Sequence, residues 1–128
     1  MASPWILEGA HDGAFIVSEA TSGATGVSRS RSVGTYAGAT ALKAGQVVCV
    51  SATNVITAFL NGTSDAANAV LFANTDAGDV TIQDAVVLVR DCEVNSAELF
   101  FDDAEVAGGI AQAYIDLETN GIIVRDSV

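Results

Sequence analysis

Carboxylates are the only chemically active side chains present in number: sixteen Asp and Glu stand against five Lys and Arg and one His, a formal net charge of -11 over 128 residues. Pairs such as Asp102 with Asp103, or Asp91 with Glu93, have the residue types of a general acid and base, provided their surroundings push the two pKa values apart. Their positions argue for a plainer role. Asp102 and Asp103 precede an apolar periodic segment, where a helix N-terminus favours negative charge, and the alternation of Asp91 and Glu93 puts both on one solvent face of a strand. The run Asn74-Thr75-Asp76-Ala77-Gly78-Asp79 begins like a calcium loop, but its glycine comes one place early and Ala85 stands where a bidentate glutamate is needed. A hairpin turn is the simpler expectation.

Other chemistry lacks its parts. The single histidine, His11, lies in a glycine-rich stretch, so neither a His-based metal cluster nor a Ser-His-Asp or Cys-His site can be assembled. Cys49 and Cys92 are far apart, without metal-ligand or CxxC spacing, and each sits in an apolar β-like stretch, which predicts buried thiols. No G-x-G occurs and the sole lysine, Lys43, follows Leu42, so the dinucleotide fingerprint and the phosphate loop are both absent. Asn61-Gly62-Thr63 fits a glycosylation sequon but reads as a turn. No catalysis, metal or cofactor is expected.

Charge and length narrow the partners. With so few basic residues, the counterion release that drives nucleic-acid binding is out of reach. Residues 1–48 are neutral, with Arg29, Arg31 and Lys43 against Glu8, Asp12 and Glu19, so residues 49–128 carry the whole charge of -11. The first residues, Met1 to Glu8, show no basic region and only three successive apolar side chains, Trp5-Ile6-Leu7, which predicts no export signal. The longest uncharged run, Ala44 to Ser64, contains Gln46, Ser51, Thr53, Asn54, Thr57 and Asn61 and reads as strands, not as a membrane span. A chain this long buries roughly two-thirds of its unfolded surface, enough for one core.

The elements expected to build that core follow from hydrophobic periodicity. Residues 1–45 hold seven of the twelve glycines and the only proline, with no sustained period. They read as an arm plus irregular coil, interrupted by Phe15-Ile16-Val17, with Gly23 to Ser32 as a flexible loop. Beyond, short β-branched or aromatic runs separated by turn residues predict strands at Gln46–Val50, Val55–Leu60, Ala69–Ala73, Val80–Ile82, Ala85–Arg90 and Glu98–Phe101. One helix is expected after an N-cap at Asp102 or Asp103, with an apolar stripe of Ala107, Ile110, Ala111, Tyr114 and Leu117, close packing at Gly108-Gly109, and an end at Asn120-Gly121. Ile122-Ile123-Val124 returns as a strand. The fold class is mainly β (α+β), a small β-rich body with one helix in the C-terminal half and a flexible N-terminal arm. The apolar Trp5-Ile6-Leu7 cluster is suited to strand addition onto a partner sheet or to folding back on the body, and Ser28-Arg29-Ser30-Arg31-Ser32 is suited to an acidic neighbour.

Phe15-Ile16-Val17-Ser18-Glu19-Ala20, Ser28-Arg29-Ser30-Arg31-Ser32-Val33 and Leu42-Lys43-Ala44-Gly45-Gln46-Val47-Val48 stand in an order that resembles the lambda-type phage head decoration proteins. The resemblance continues through Asn61-Gly62-Thr63, Val70-Leu71-Phe72, Val86-Val87-Leu88-Val89-Arg90-Asp91, Glu93-Val94-Asn95 and Leu117 to Arg125, and so covers about residues 15–126. Each motif is a short strand or turn; the collinear set carries the likeness. The leader before Phe15 departs from the family in being short, and Trp5 and His11 align with no family pattern.

The resemblance implies a structural, non-catalytic protein bound as homotrimers at three-fold and quasi-three-fold positions on the outer surface of the expanded head. There it would stabilise the shell against internal DNA pressure. It implies synthesis in the host cytoplasm late in infection, and a major capsid protein and further copies of the chain as partners, with trimers forming either in solution or only on the shell; neither nucleic acid nor membrane is among them. Residues 1–33 would be the capsid-binding arm and 34–128 a single decoration domain. Within the arm, Trp5, Ile6, Leu7, Phe15, Ile16, Ser18, Glu19, Arg29 and Arg31 are the candidate contacts; Phe59, Phe100 and Phe101 are candidates for the trimer interface and equally for the core. Two other classes stay open on the residues alone: a carbohydrate- or host-binding β module on a virion, weakened by a single Trp and two Tyr, and a carboxylate-dependent hydrolase.

Overall fold

The computed structural model describes residues 15–19, 21–22, 27–28, 30–38, 40–62, 66–75, 83–102 and 107–126. Its elements run β1 (Ile16–Glu19), β2 (Thr21–Ser22), β3 (Val27–Ser28), β4 (Arg31–Tyr36), β5 (Val47–Val50), β6 (Ile56–Ala58), β7 (Ala69–Leu71), β8 (Gln83–Leu88), β9 (Cys92–Asn95), a 3₁₀ turn (Ser96–Glu98), α1 (Ala107–Thr119) and β10 (Ile122–Arg125). The mainly β class with one helix in the C-terminal half is therefore the observed one.

Strand period explains how the core divides. Successive residues of a strand point to opposite faces, and in β5 both faces are buried: Val48 belongs to one cluster with Tyr36, Leu42, Ile56, Ala69, Leu71 and Val87, while Val47 and Cys49 belong to another with Phe15, Phe59, Val70, Leu88, Cys92, Val94, Ala113, Leu117 and Ile122. The same alternation runs through Ala69-Val70-Leu71 and Val87-Leu88. These strands form an antiparallel five-stranded sheet in the order β4-β8-β7-β5-β6. The sheet curls until its outer strands meet: Thr35 bridges Val55 in parallel, and the Thr35 N–H donates to the Asn54 carbonyl at 2.7 Å. The first cluster fills the inside of this curl.

The second cluster lies between the sheet's outer face and a second layer. There β9 is central, pairing antiparallel with β1 and parallel with β10. A parallel neighbour needs a crossover, and the 3₁₀ turn and α1 lie between β9 and β10 in the chain. Both cysteines are buried free thiols in this cluster, as expected.

Several expectations need correction. The stretch 1–45, read as arm and coil, contains β1 and β4, and Gly23 to Ser32 contains β3 and the fully buried Ser30, whose Oγ donates to the Asp91 carbonyl at 2.9 Å. β4 lacks apolar periodicity because its inward Gly34 lies against Ile56: a Cβ there would come within 2.7 Å of the Ile56 Cγ1. The six-residue pairing with β8 makes it a strand. Glu98–Phe101 is not a strand. The Asn95 side chain caps the Ala97 N–H at 3.1 Å and opens the 3₁₀ turn instead, leaving Phe100 a single bridge to Gln46.

The helix exists but turns a different face inward. Its buried line is Gly109, Ala113 and Leu117; Ile110 and Tyr114 are half-buried, and Ala107 and Ala111 are exposed. Small side chains at i and i+4 let the helix approach the core closely, which a reading weighted by apolar bulk overlooks. Gly109 thus fits the close-packing expectation, whereas a Cβ at the exposed Gly108 would meet nothing within 4 Å. The first turn carries no acidic residue; Asp103 lies outside the described residues, as do Val80–Ile82 and residues 76–79. The helix stops as expected: the Gly121 N–H donates to the Glu118 carbonyl at 3.0 Å with φ of +82°, a conformation glycine adopts without penalty. The described helix is too short to cross a membrane.

Two substitutions test the layering by urea unfolding. Phe15→Ala should cost about 3–5 kcal/mol, because it empties a fully buried aromatic site. Gly34→Ala should cost roughly 1–3 kcal/mol, because its Cβ forces Ile56 away from the closure of the sheet.

Candidate functional site

Folding separates the candidate residues into groups with different surroundings. Phe15 is 1% exposed and sits in the core between the layers, with Ile16 packed against it. Phe59 is equally buried, so its side chain belongs to the chain's own interior. Phe100 and Phe101 are half-buried. Phe101 makes a tilted ring contact with Tyr114 at 6.1 Å, and the Lys43 ammonium lies 5.1 Å from the Phe100 ring centre. Trp5, Ile6, Leu7 and Arg29 lie outside the described residues; Glu19 pairs with Cys92 in the sheet.

β1 presents a distinct surface feature. Its register with β9 passes from Ile16 opposite Val94 to Ser18 opposite Glu93, so Val17 is an extra residue. Such a bulge re-aims the side chain it carries, and Val17 is 54% exposed two residues after the buried Phe15. Beside it, Ser18 Oγ donates to Glu93 Oε2 at 2.9 Å, and the Arg125 guanidinium donates to Glu93 Oε1 at 2.7 Å. This chain of contacts ties β1 and β10 to the central strand β9.

A second feature lies on the outer wall of the five-stranded sheet. Register places Phe72 beside Val86 through the β7–β8 pairing, and Val86 opposite Val33 in β4. Val33 is 56% exposed, and the Arg31 guanidinium covers the Phe72 ring at 4.1 Å, a favourable cation–π distance. Val55, also exposed, stands beside the closure at Thr35. Sequence reasoning named Arg31 but missed Val17, Val33 and Val55. The signal was the alternation Arg31, Val33, Thr35 on one face, hidden by the serine and glycine of the other.

Two concave places are formed by the described residues. A cleft of about 250 Å³ is lined by Leu42, Lys43, Gln46, Phe100, Phe101 and Asp102 among others, with one carboxylate and no histidine. Asp91 and Glu93 share an open depression with Ser18 and Gly121. The Arg125 and Ser18 hydrogen bonds hold the Glu93 carboxyl below its ordinary pKa, the opposite of what a general acid needs. Asn74 and Thr75 are committed to the backbone, accepting at 2.7 Å from the N–H groups of Ala44 and Leu42. Among the described residues, no group of three or more His, Cys, Asp or Glu could hold a metal ion.

These features describe a small two-layer β domain with exposed apolar side chains on its strands. The family model of the bacteriophage lambda head decoration protein D matches residues 6–122 of the 128. The chain belongs to that family of phage head decoration proteins, structural components of the virion capsid. No curated protein sequence matches it significantly.

The Glu93 contacts carry a pH dependence whose sign is fixed. Because the folded pKa lies below that of the unfolded chain, the contribution to stability is fully present above the unfolded value and is lost as pH falls through the folded one. Glu93→Gln should therefore lower stability slightly in the neutral region, match the parent protein at the acid end, and so flatten the acid limb between them. Unfolding midpoints measured across that limb for both proteins check it.

Proposed function

We propose that this protein decorates the outer surface of the expanded phage head as homotrimers at three-fold and quasi-three-fold sites, and that it stabilises the shell against internal DNA pressure. The observation that carries the reading is the family match over nearly the whole chain. Its partners are the major capsid protein and further copies of itself, and it works by binding, not by catalysis. It is made in the host cytoplasm.

The chain divides into a shell-binding segment drawn from residues 1–33 and a single decoration domain after it. Within that segment the buried Phe15 fastens the chain to the body; the contacts proposed for the shell are Trp5, Ile6 and Leu7 before it and the bulged Val17 after it, supported by Ser18, Glu19, Arg29 and Arg31. The leader adds a strand to an exposed sheet edge of the capsid protein, an edge that expansion uncovers. A trimer presents three such segments about one axis, so contacts weak in isolation combine through effective concentration. Between copies, the contact uses the half-exposed Phe100 and Phe101 and leaves Phe59 in the core.

Co-sedimentation with undecorated shells tests this. Saturable binding to expanded shells, near one copy per capsid subunit, and none to unexpanded procapsids is the expected result; binding to neither overturns the reading. Deleting residues 2–14 should abolish binding while the circular dichroism and melting of the body persist, and Val17→Asp should weaken it. The cut stops short of Phe15, because a longer deletion would remove core and strands together.

A further inference from the structure

The cleft of about 250 Å³ beside Phe100 and Phe101 contains the chain's sole lysine. Lys43 is exposed, and its ammonium stands 5.1 Å from the centre of the Phe100 ring, within the range of a cation–π contact. Among the described residues that ammonium has no carboxylate or carbonyl partner, although the chain holds sixteen carboxylates. A ring face, not an anion, positions it.

Gln46 brings a second polar group to the same place. It is 6% exposed; its backbone N–H donates to the Lys43 carbonyl and its carbonyl accepts from the Leu71 N–H, each at 2.9 Å. Among the described residues its side-chain amide has no hydrogen-bond partner, yet no fully buried polar side-chain atom is left unpaired there. The amide therefore keeps an open edge, and that edge faces the cleft that Gln46 lines. An ammonium and an amide N–H between the apolar walls of Leu42, Ala58 and Phe101 suit a carboxylate on a short apolar stem, bound by charge-assisted hydrogen bonds.

Size and charge choose the source of that carboxylate. The volume lies below the roughly 300–1,000 Å³ of small-molecule sites and admits one or two side chains, not a strand. Residues 49–128 of another copy carry a net charge of -11, so acidic side chains dominate what a second copy offers. In a three-fold ring the contact is head-to-tail, and the cleft of one copy meets a different patch of the next. Asp102, exposed on the cleft's rim, has the same sign as the incoming group, which therefore enters on the Lys43 side.

We infer that this cleft receives an Asp or Glu side chain from the acidic body of a second copy, its carboxylate paired with the Lys43 ammonium and hydrogen-bonded by the Gln46 amide. The inference rests on the reading that copies meet beside Phe100 and Phe101, and it names the charge pair at that contact. Zero-length carbodiimide coupling tests it, because the reagent joins an amine to a carboxylate only where the two touch, and Lys43 supplies the only side-chain amine of a lysine. An equal mixture of isotope-labelled and unlabelled protein is coupled while bound to expanded shells and, separately, at high concentration in solution. Peptide mass spectrometry should find Lys43 joined to an Asp or Glu of residues 49–128, with one partner labelled and the other not. Lys43→Glu should lower assembly several-fold at an unchanged melting temperature. Lys43 links confined to its own chain, links to the capsid protein instead, no Lys43 link on saturated shells, or a Lys43→Glu protein that assembles as well as the parent would each overturn the inference and leave decoration standing. If the protein binds no shell, decoration fails and the solution arm decides: a mixed-isotope Lys43 link upholds the inference, and its absence overturns it.

Discussion

The burial of both faces of β5, β7 and β8 is the constraint on which the remaining structure depends. A strand with apolar side chains on both faces must be covered twice, and this chain does so in two ways. One face is enclosed by curling the sheet until β4 and β6 meet at Thr35 and Val55. The other is covered by a separate layer of β1, β9, β10 and α1. Phe15, from near the start of the chain, and Leu117 and Ile122, from near its end, meet Val47, Val70 and Leu88 in one cluster through that layer.

That solution also shapes the surface. Covering the outer wall with one small layer leaves Val33 exposed there, in register with Val86 and Phe72, and Arg31 lies over the Phe72 ring. The bulge in β1 turns Val17 outward at the point where the chain has just entered the core at Phe15. A decoration protein needs a body that holds its shape alone and a segment that engages the shell. Phe15 meets the first requirement, so the folded body already includes the start of β1.

The sequence was most legible where local pattern and tertiary demand agreed. β5, β6, β7 and β10 followed from β-branched runs, and the helix end from Asn120-Gly121. It was least legible in β4, where Ser32 and Gly34 occupy the inward face because Ile56 supplies the bulk from across the curl. Glu98–Phe101 misled because its aromatic residues serve packing and one bridge, whereas Asn95 governs the local backbone. In the helix, the buried face was marked by Gly109 and Ala113, whose smallness is informative only against a neighbouring layer.

Composition, charge and the collinear motifs determined the class of protein: an acidic, β-rich domain resembling the head decoration family to which the chain belongs. These are properties of residue type and order, and they need no coordinates. Tertiary structure alone decided which apolar residues are spent inside and which remain outside. Phe15, Phe59 and Val17 are all apolar and fall in similar local contexts; burial depends on what lies across the sheet, and register and bulges are set by partner strands distant in the chain.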